Sequence, residues 1–241
     1  LEAIPADHFD YVLIDEVHRA GATLHQNILE HFTPDFTLGI TATPERTDGF
    51  NVYSLFDYNV PYEIRLQKAL EEDMLAPFHY YGVTDFEVDG EAISDFSSFS
   101  TLVAPQRVTH LVEAIERYGH AGQSVRGLMF CSRKDEARKL SELLNQRTVH
   151  GKTLRTRALT GDDPVPVREN VVQQLEAGEL DYIITVDVFN EGIDIRTVNQ
   201  VVMLRQTQSS IVFTQQLGRG LRKAAGKSHL IVIDFIGNYE N

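Results

Sequence analysis

Gly127-Leu128-Met129-Phe130-Cys131-Ser132 is a continuous apolar run closed by a hydroxyl residue, and residues 133–146 after it read RKDEARKLSELLNQ. The first stretch has no polar alternation, the pattern of a parallel strand buried on both faces. The second repeats apolar residues at helical spacing and predicts a helix. The same pair recurs downstream. A strand is expected near 154–159, a helix over 166–177 and a strand over 181–186. A strand over 198–204, a helix over 209–217 and a last strand over 229–235 follow. Upstream, a helix over 106–118 carries Val108, Leu111, Val112 and Ile115 on one face. Strands alternating with helices of roughly ten to fifteen residues predict a parallel sheet wrapped by helices.

The beginning of the chain repeats this grammar. Tyr11-Val12-Leu13-Ile14-Asp15 is an apolar run ending in a carboxylate, and reads as a strand buried on both faces. Residues 21–32 predict a helix with Leu24, Ile28 and Leu29 on one face. Phe36 to Ile40 predicts the next strand, stopped by Thr41-Ala42-Thr43-Pro44. A short strand and then a helix are expected between 60 and 75, and another strand over Phe78–Val83. Residues 84–101, rich in Asp, Glu, Ser and Phe, show no period and read as an inserted loop. In parallel sheets ligands bind outside the carboxyl ends of the strands, so Asp15, Thr41, Ser132, Thr160 and Asp187 are well placed for chemistry.

The 241 residues fit one large or two small domains, and 42% apolar content suffices for a packed core. No apolar run approaches the roughly 20 residues that span a bilayer, so no membrane partner is expected. Cys131, the single cysteine, allows no internal disulfide and points to a reducing compartment, the cytoplasm. Its apolar flanks make it a core thiol. Net charge is −13, but unevenly spread. Residues 1–123 hold 6 basic and 21 acidic side chains, and residues 124–241 hold 16 and 14. Phosphate binding needs a local row of donors and not a basic total, so this balance leaves a polynucleotide partner open. The opening Leu1, without a polar leader, is the start expected inside a larger protein.

An Asp at the carboxyl end of a buried strand can hold Mg²⁺, and a neighbouring Glu can take a proton from an attacking water. The pair Asp15-Glu16 can equally be a helix cap with a surface acid. Arg219 and Arg222, three apart, share a helix face. They can cap a helix dipole, yet Gly218 and Gly220 beside them are poor helix formers. His150-Gly151-Lys152-Thr153 contains the Gly-Lys-Thr of a phosphate loop, but that motif needs a glycine where Gln146 stands, a strand before it and a helix after it. It is therefore rejected. The nine histidines have neither cysteine partners nor ligand spacing, so no zinc site is expected.

Asp15-Glu16-Val17-His18 resembles the second motif of the superfamily-2 helicases, the DEAD/DEAH-box group in the broad sense. Thr41-Ala42-Thr43-Pro44 resembles the third and Phe130-Cys131-Ser132 the fourth. Residues 185–194 resemble the fifth, and Gln215-Gln216-Leu217-Gly218-Arg219-Gly220-Leu221-Arg222 the sixth. Glu45 to Gly49 and Pro77 to Tyr81 are similar to bacterial members related to restriction and repair enzymes. Many members carry Arg where this chain has Gln216.

The resemblance implies an α/β fold of two RecA-like parallel-sheet units, the first incomplete, belonging to a P-loop NTPase helicase core. Residues 1–76 would be the back half of domain 1, and 77–241 domain 2 with an insertion near 84–101. It implies ATP and Mg²⁺ as cofactors, with Asp15 on the metal, Glu16 on the attacking water and His18 bridging to Gln215. Thr41 and Thr43 would couple nucleotide state to closure, and Gly192 and Asp194 would sit beside the ribose. Arg219 and Arg222 would act as arginine fingers at a cleft between the domains. Ser132, Arg133, Thr160, Gly161 and Thr185 would hold phosphates of one strand, of DNA in preference to RNA. Each of these five can also be ordinary turn or capping chemistry. Further domains of the same polypeptide are expected as partners. The genuine phosphate loop is expected before Leu1, so the 241 residues alone should hydrolyse ATP poorly. The alternatives are a double-stranded DNA translocase of restriction or remodelling type, and a scaffold without catalysis.

Overall fold

A computed structural model of the chain describes residues 3–19, 23–41, 51–85, 87–88, 91–94, 96–119, 123–186, 195–205, 218 and 220–235. These form two compact units, one ending at Arg65 and one beginning at Leu66. Among the described residues, no helix is long and apolar enough to cross a membrane.

In the first unit, β1 (Tyr11–Ile14) pairs in parallel with β2 (Phe36–Gly39), and α1 (Thr23–His31) joins them. The strand at 11–14 is not buried on both faces as expected. Ile14 is buried and Val12 half-buried, whereas Tyr11 and Leu13 are exposed. Successive side chains point to opposite faces, and the described residues cover one face. That cover comes from Leu29 of α1 and from Val52, Leu55 and Phe56 of a 3-10 helix (Val52–Phe56), packed around Ile14 and Val17. The expected strand after residue 60 is absent. The 3-10 helix that precedes this stretch has Asn51 Oδ1 accepting from Tyr53 N at 3.0 Å, and Asp57 and Tyr58 after it lie in the left-handed region.

The second unit opens with α2 (Leu66–Glu71) and β3 (Phe78–Gly82). The stretch expected as an irregular insertion carries an antiparallel pair, β4 (Glu87–Val88) and β5 (Glu91–Ala92), and a single-turn helix α3 (Phe99–Leu102) capped by Ser98. Then come α4 (Pro105–Tyr118), β6 (Gly127–Phe130), α5 (Lys134–Leu144) and a hairpin of β7 (Thr148–Val149) with β8 (Lys152–Thr153). The rest is β9 (Thr156–Leu159), α6 (Val165–Ala177), β10 (Tyr182–Thr185), β11 (Gln200–Met203) and β12 (Leu230–Asp234). The helix expected over 209–217 lies outside the described residues.

Six strands form one wholly parallel sheet in the order β3-β12-β11-β6-β10-β9. Strands β6, β10, β11 and β12 are buried at every residue, as an apolar strand covered on both faces must be. Helices α4 and α5 bury Val108, Leu111, Ile115, Leu140 and Leu144 against one face. Close approach fixes the glycine that opens β6, since a Cβ on Gly127 would lie 2.3 Å from the Tyr182 ring of β10.

The rejected Gly-Lys-Thr runs from the tip of the β7–β8 hairpin, Gly151, into β8, Lys152–Thr153. His150 (φ 49) and Gly151 (φ 77) are both left-handed, the conformation of a two-residue hairpin turn.

Candidate nucleotide and nucleic-acid sites

In the first unit the chain turns sharply after β1. Glu16 takes φ 49, unusual for a side chain with a Cβ, and its N–H donates to Asp15 Oδ1 at 2.9 Å. Val17 N then donates to Ile40 O at 3.0 Å, which ties this turn to the residue after β2. The tie brings buried His18 to Thr41, with Nδ1 and Oγ1 2.9 Å apart. Glu16 Oε2 lies 3.3 Å from the same nitrogen. Asp15 is exposed beside them at the carboxyl end of β1. Four predicted residues thus form one cluster at the ends of two adjacent parallel strands. Thr43 lies outside the described residues.

In the second unit Ser132, Thr160 and Thr185 follow or end three neighbouring strands, β6, β9 and β10. Thr185 is level with Phe130 and Leu159 in the register, so all three stand along one carboxyl edge. Their donors are largely engaged within the chain. Ser132 N and Oγ both donate to Glu136 Oε2, at 3.1 and 3.0 Å. Thr160 N and Oγ1 both donate to Asp163 Oδ2, at 2.7 and 3.2 Å. Thr185 Oγ1 is buried and meets no partner among the described residues. Arg133 pairs with Asp135 on the surface, at 2.7 Å. Gly161 has open space where a Cβ would be, and its carbonyl accepts from Arg168 at 2.8 Å.

The carboxyl edge rests on an ion network that sequence reasoning missed. Buried Arg107 of α4 donates to Asp85 Oδ2, to Glu136 Oε1 and to the carbonyls of Leu102 and Leu204. Burial works against the guanidinium charge, and Asp85 and Glu136 more than offset it, leaving the Arg107 pKa raised. Burial raises the Glu136 carboxyl, against the pull of Arg107 and Ser132. Burial also pushes the Cys131 thiol well up, with the Glu136 charge adding to it. Cys131 is thus a core thiol, as its flanks predicted.

Of the sixth-motif residues, Arg222 is described and exposed. Its carbonyl accepts from Lys227 Nζ at 2.9 Å, and burial brings that ammonium down to about 8. The preceding Gly220 is buried, and a Cβ there would lie 2.5 Å from Leu230 of β12. Packing as well as loop chemistry therefore selects glycine in this motif. Gly192, Asp194, Gln215 and Arg219 lie outside the described residues.

Two stretches of the chain match known families. Residues 106–224 match the helicase conserved C-terminal domain, and residues 2–46 match the res subunit of type III restriction enzymes. A candidate ATP-dependent helicase of Saccharomyces cerevisiae, IRC3, is 26% identical over 240 residues, covering 94% of this chain and 34% of its own length. The EcoAI endonuclease subunit of a type I restriction enzyme from Escherichia coli is 27% identical over 262 residues, covering 96% and 32%. A solved fragment of a candidate HsdR subunit of a type I restriction enzyme from Vibrio vulnificus superposes with a TM-score of 0.75 at 25% identity. It covers 98% of this chain and 45% of that one. The chain spans about a third of the length of these two curated relatives. With a restriction-subunit match at its beginning, a helicase C-terminal-domain match over β6 to β11 and relatives named as helicases or restriction-enzyme subunits along nearly all of it, the chain is similar to the superfamily-2 helicases.

Proposed function

We propose that this chain is part of an ATP-driven nucleic-acid helicase or translocase. The observation that carries the reading is the bond between His18 and Thr41, with the Glu16 carboxylate on the same ring nitrogen. It joins the ends of β1 and β2 into one polar cluster, where a parallel sheet presents its ligand-binding edge.

The donor chemistry there suits ATP with Mg²⁺. Asp15 offers an exposed carboxylate at the strand end, and hard cations take oxygen ligands. Bound Mg²⁺ would neutralise charge on the triphosphate. Glu16 accepts the proton of the attacking water as its oxygen bonds to the γ-phosphorus and the bond to the β-phosphate oxygen breaks. His18, fixed by Thr41, orients Glu16 and, as the resemblance implies, would pair with Gln215. Thr41 and Thr43 would couple the nucleotide state to closure, as the resemblance implies. Gly192 and Asp194 border the ribose. Arg219 and Arg222 bring guanidinium charge to the γ-oxygens, a contribution typically worth about 10³–10⁵ in rate. Ser132, Arg133, Thr160, Gly161 and Thr185 hold backbone phosphates of one strand. We take DNA, in preference to RNA, as that strand.

Glu16→Gln in the intact protein is expected to lower DNA-stimulated ATP turnover about 10²–10⁴-fold while ATP binding persists. Turnover close to wild type would remove Glu16 as the base. The 241 residues alone are expected to turn over ATP far more slowly than the intact protein, because their Gly-Lys-Thr lies in a β-hairpin and not in a phosphate loop. The matches to restriction subunits favour a second reading, translocation on duplex DNA without strand separation. Triplex displacement without displacement of a duplex strand by the intact protein would select it.

A further inference from the structure

The carboxyl edge of the six-stranded sheet supplies anions of its own. Lys134, in the first turn of α5, and Arg138, one turn later, converge on Asp162 in the loop after β9. Lys134 Nζ lies 2.5 Å from Asp162 Oδ1, and an Arg138 guanidinium nitrogen 3.2 Å from Oδ2. That same nitrogen stands 3.5 Å from Thr160 Oγ1. Two cations thus share one carboxylate, while the neighbouring Asp163 carboxylate is taken up by Thr160 N and Oγ1. Lys134 at 48%, Arg138 at 57% and Asp162 at 55% side-chain exposure all face water. Ion pairs this exposed contribute little, because water screens them and two long side chains must be held in one geometry. A phosphodiester offers the same pair of acceptor oxygens, and its binding to cations releases condensed counterions.

We propose that Lys134 and Arg138 form a phosphate-binding pair on this edge, and that Asp162 occupies the pair in the free protein and leaves it when a nucleic-acid backbone arrives. The inference rests on the reading above that this edge carries nucleic acid, and it adds two cations and a built-in competitor to the motif residues. The neighbouring cations lack this arrangement. Arg133 is engaged by Asp135, and Lys139 by Glu142 on the same helix. The Lys134 bond holds the Asp162 carboxyl below its ordinary range, so the competitor carries a full charge at neutral pH.

The test measures the affinity of the intact protein for a labelled oligothymidylate against salt concentration. Asp162→Asn is expected to raise affinity about two- to fivefold at low salt, the span that loss of one exposed competing ion pair allows. Lys134→Ala with Arg138→Ala is expected to lower affinity and flatten the salt slope by about 0.7 for each cation lost. In that double variant the gain from Asp162→Asn should vanish. Glu142→Gln, a charge-matched change on α5, should leave affinity near wild type. The inference is overturned if Glu142→Gln raises affinity as much as Asp162→Asn, or if the gain survives removal of both cations. Thr160→Val and Thr185→Val, close in shape to the native side chains, separate the two levels. If they weaken binding while the Lys134, Arg138 and Asp162 variants do not, only this inference fails. If none of these variants alters affinity, the edge carries no backbone and both readings fail.

Discussion

Arg107 shows how much of the second unit depends on one buried charge. Its guanidinium joins the start of the 84–101 stretch, through Asp85, to the end of α3, through the Leu102 carbonyl. Through Glu136 it also reaches Ser132 at the end of β6. Taking such ions out of water is expensive, and only complete pairing offsets it. Arg107→Met keeps the length of the aliphatic stem but removes the guanidinium that bonds both Asp85 and Glu136. It is expected to destabilise the second unit by about 3–5 kcal/mol, read from the urea midpoint at constant slope. Loss of less than about 1 kcal/mol would mean that water or rearrangement satisfies both acids. Nothing in the sequence around Arg107 announces this role. Gln106, Arg107 and Val108 open an ordinary amphipathic helix, and the partners lie 22 and 29 residues away. Periodicity reports which face is apolar. It does not report which polar residue on the boundary will be closed over by distant chain.

At the scale of elements, legibility followed burial. Strands β6, β10, β11 and β12 were readable because uninterrupted apolar runs have few other uses, and each is buried throughout. Helix α6 was readable at its end as well, since Gly178 takes the left-handed C-cap at φ 76. The strand expected after residue 60 and the 3-10 helix at Val52–Phe56 were not. The interactions that decide the 3-10 helix are a local cap from Asn51 and packing of Val52 against Ile14 and Val17, far back in the chain. The carboxylate cluster at the end of β1 was legible in type, while the left-handed turn at Glu16 that presents it was not. Element pairing also yields a test. Gly127 faces the Tyr182 ring so closely that a methyl group at 2.3 Å must move either the ring or strand β6. Tyr182 is wholly buried and its hydroxyl is bonded to Gln200 of β11, so the ring has little freedom to yield. Gly127→Ala is expected to cost about 1–3 kcal/mol, the range of overpacked cores. Gly161→Ala, with open space at the Cβ, should change stability by less than about 0.5 kcal/mol. Thermal denaturation of the two variants side by side checks the contrast.

Across the whole chain, the two units differ in how much apolar surface each encloses. In the first, the buried cluster among the described residues consists of Ile14, Val17 and Val52 with partly buried neighbours, and β1 and β2 pair with each other. In the second, β6 lies between β10 and β11, and buried residues of α4, α5, β10, β11 and β12 form one cluster with it. Burial of apolar area is the main favourable term in folding, so local stability should follow this contrast. Amide exchange in the 241-residue chain reads it directly. The amides of Met129, Ile183 and Val202, in central strands, should exchange only through the rarest openings. Those of Leu13 and Leu38 should exchange at least about a hundredfold faster, the ratio that roughly 3 kcal/mol of opening free energy corresponds to. Equal protection in the two sets would mean that the units open together and that stability is shared between them. A faster first unit would also bear on catalysis, because the Asp15, Glu16, His18 and Thr41 cluster sits on those two strands. Its geometry would then be held by the Val17–Ile40 bond and the small core beneath it, and Val52→Ala should loosen the cluster and hasten exchange at Val17 while leaving Met129 unchanged.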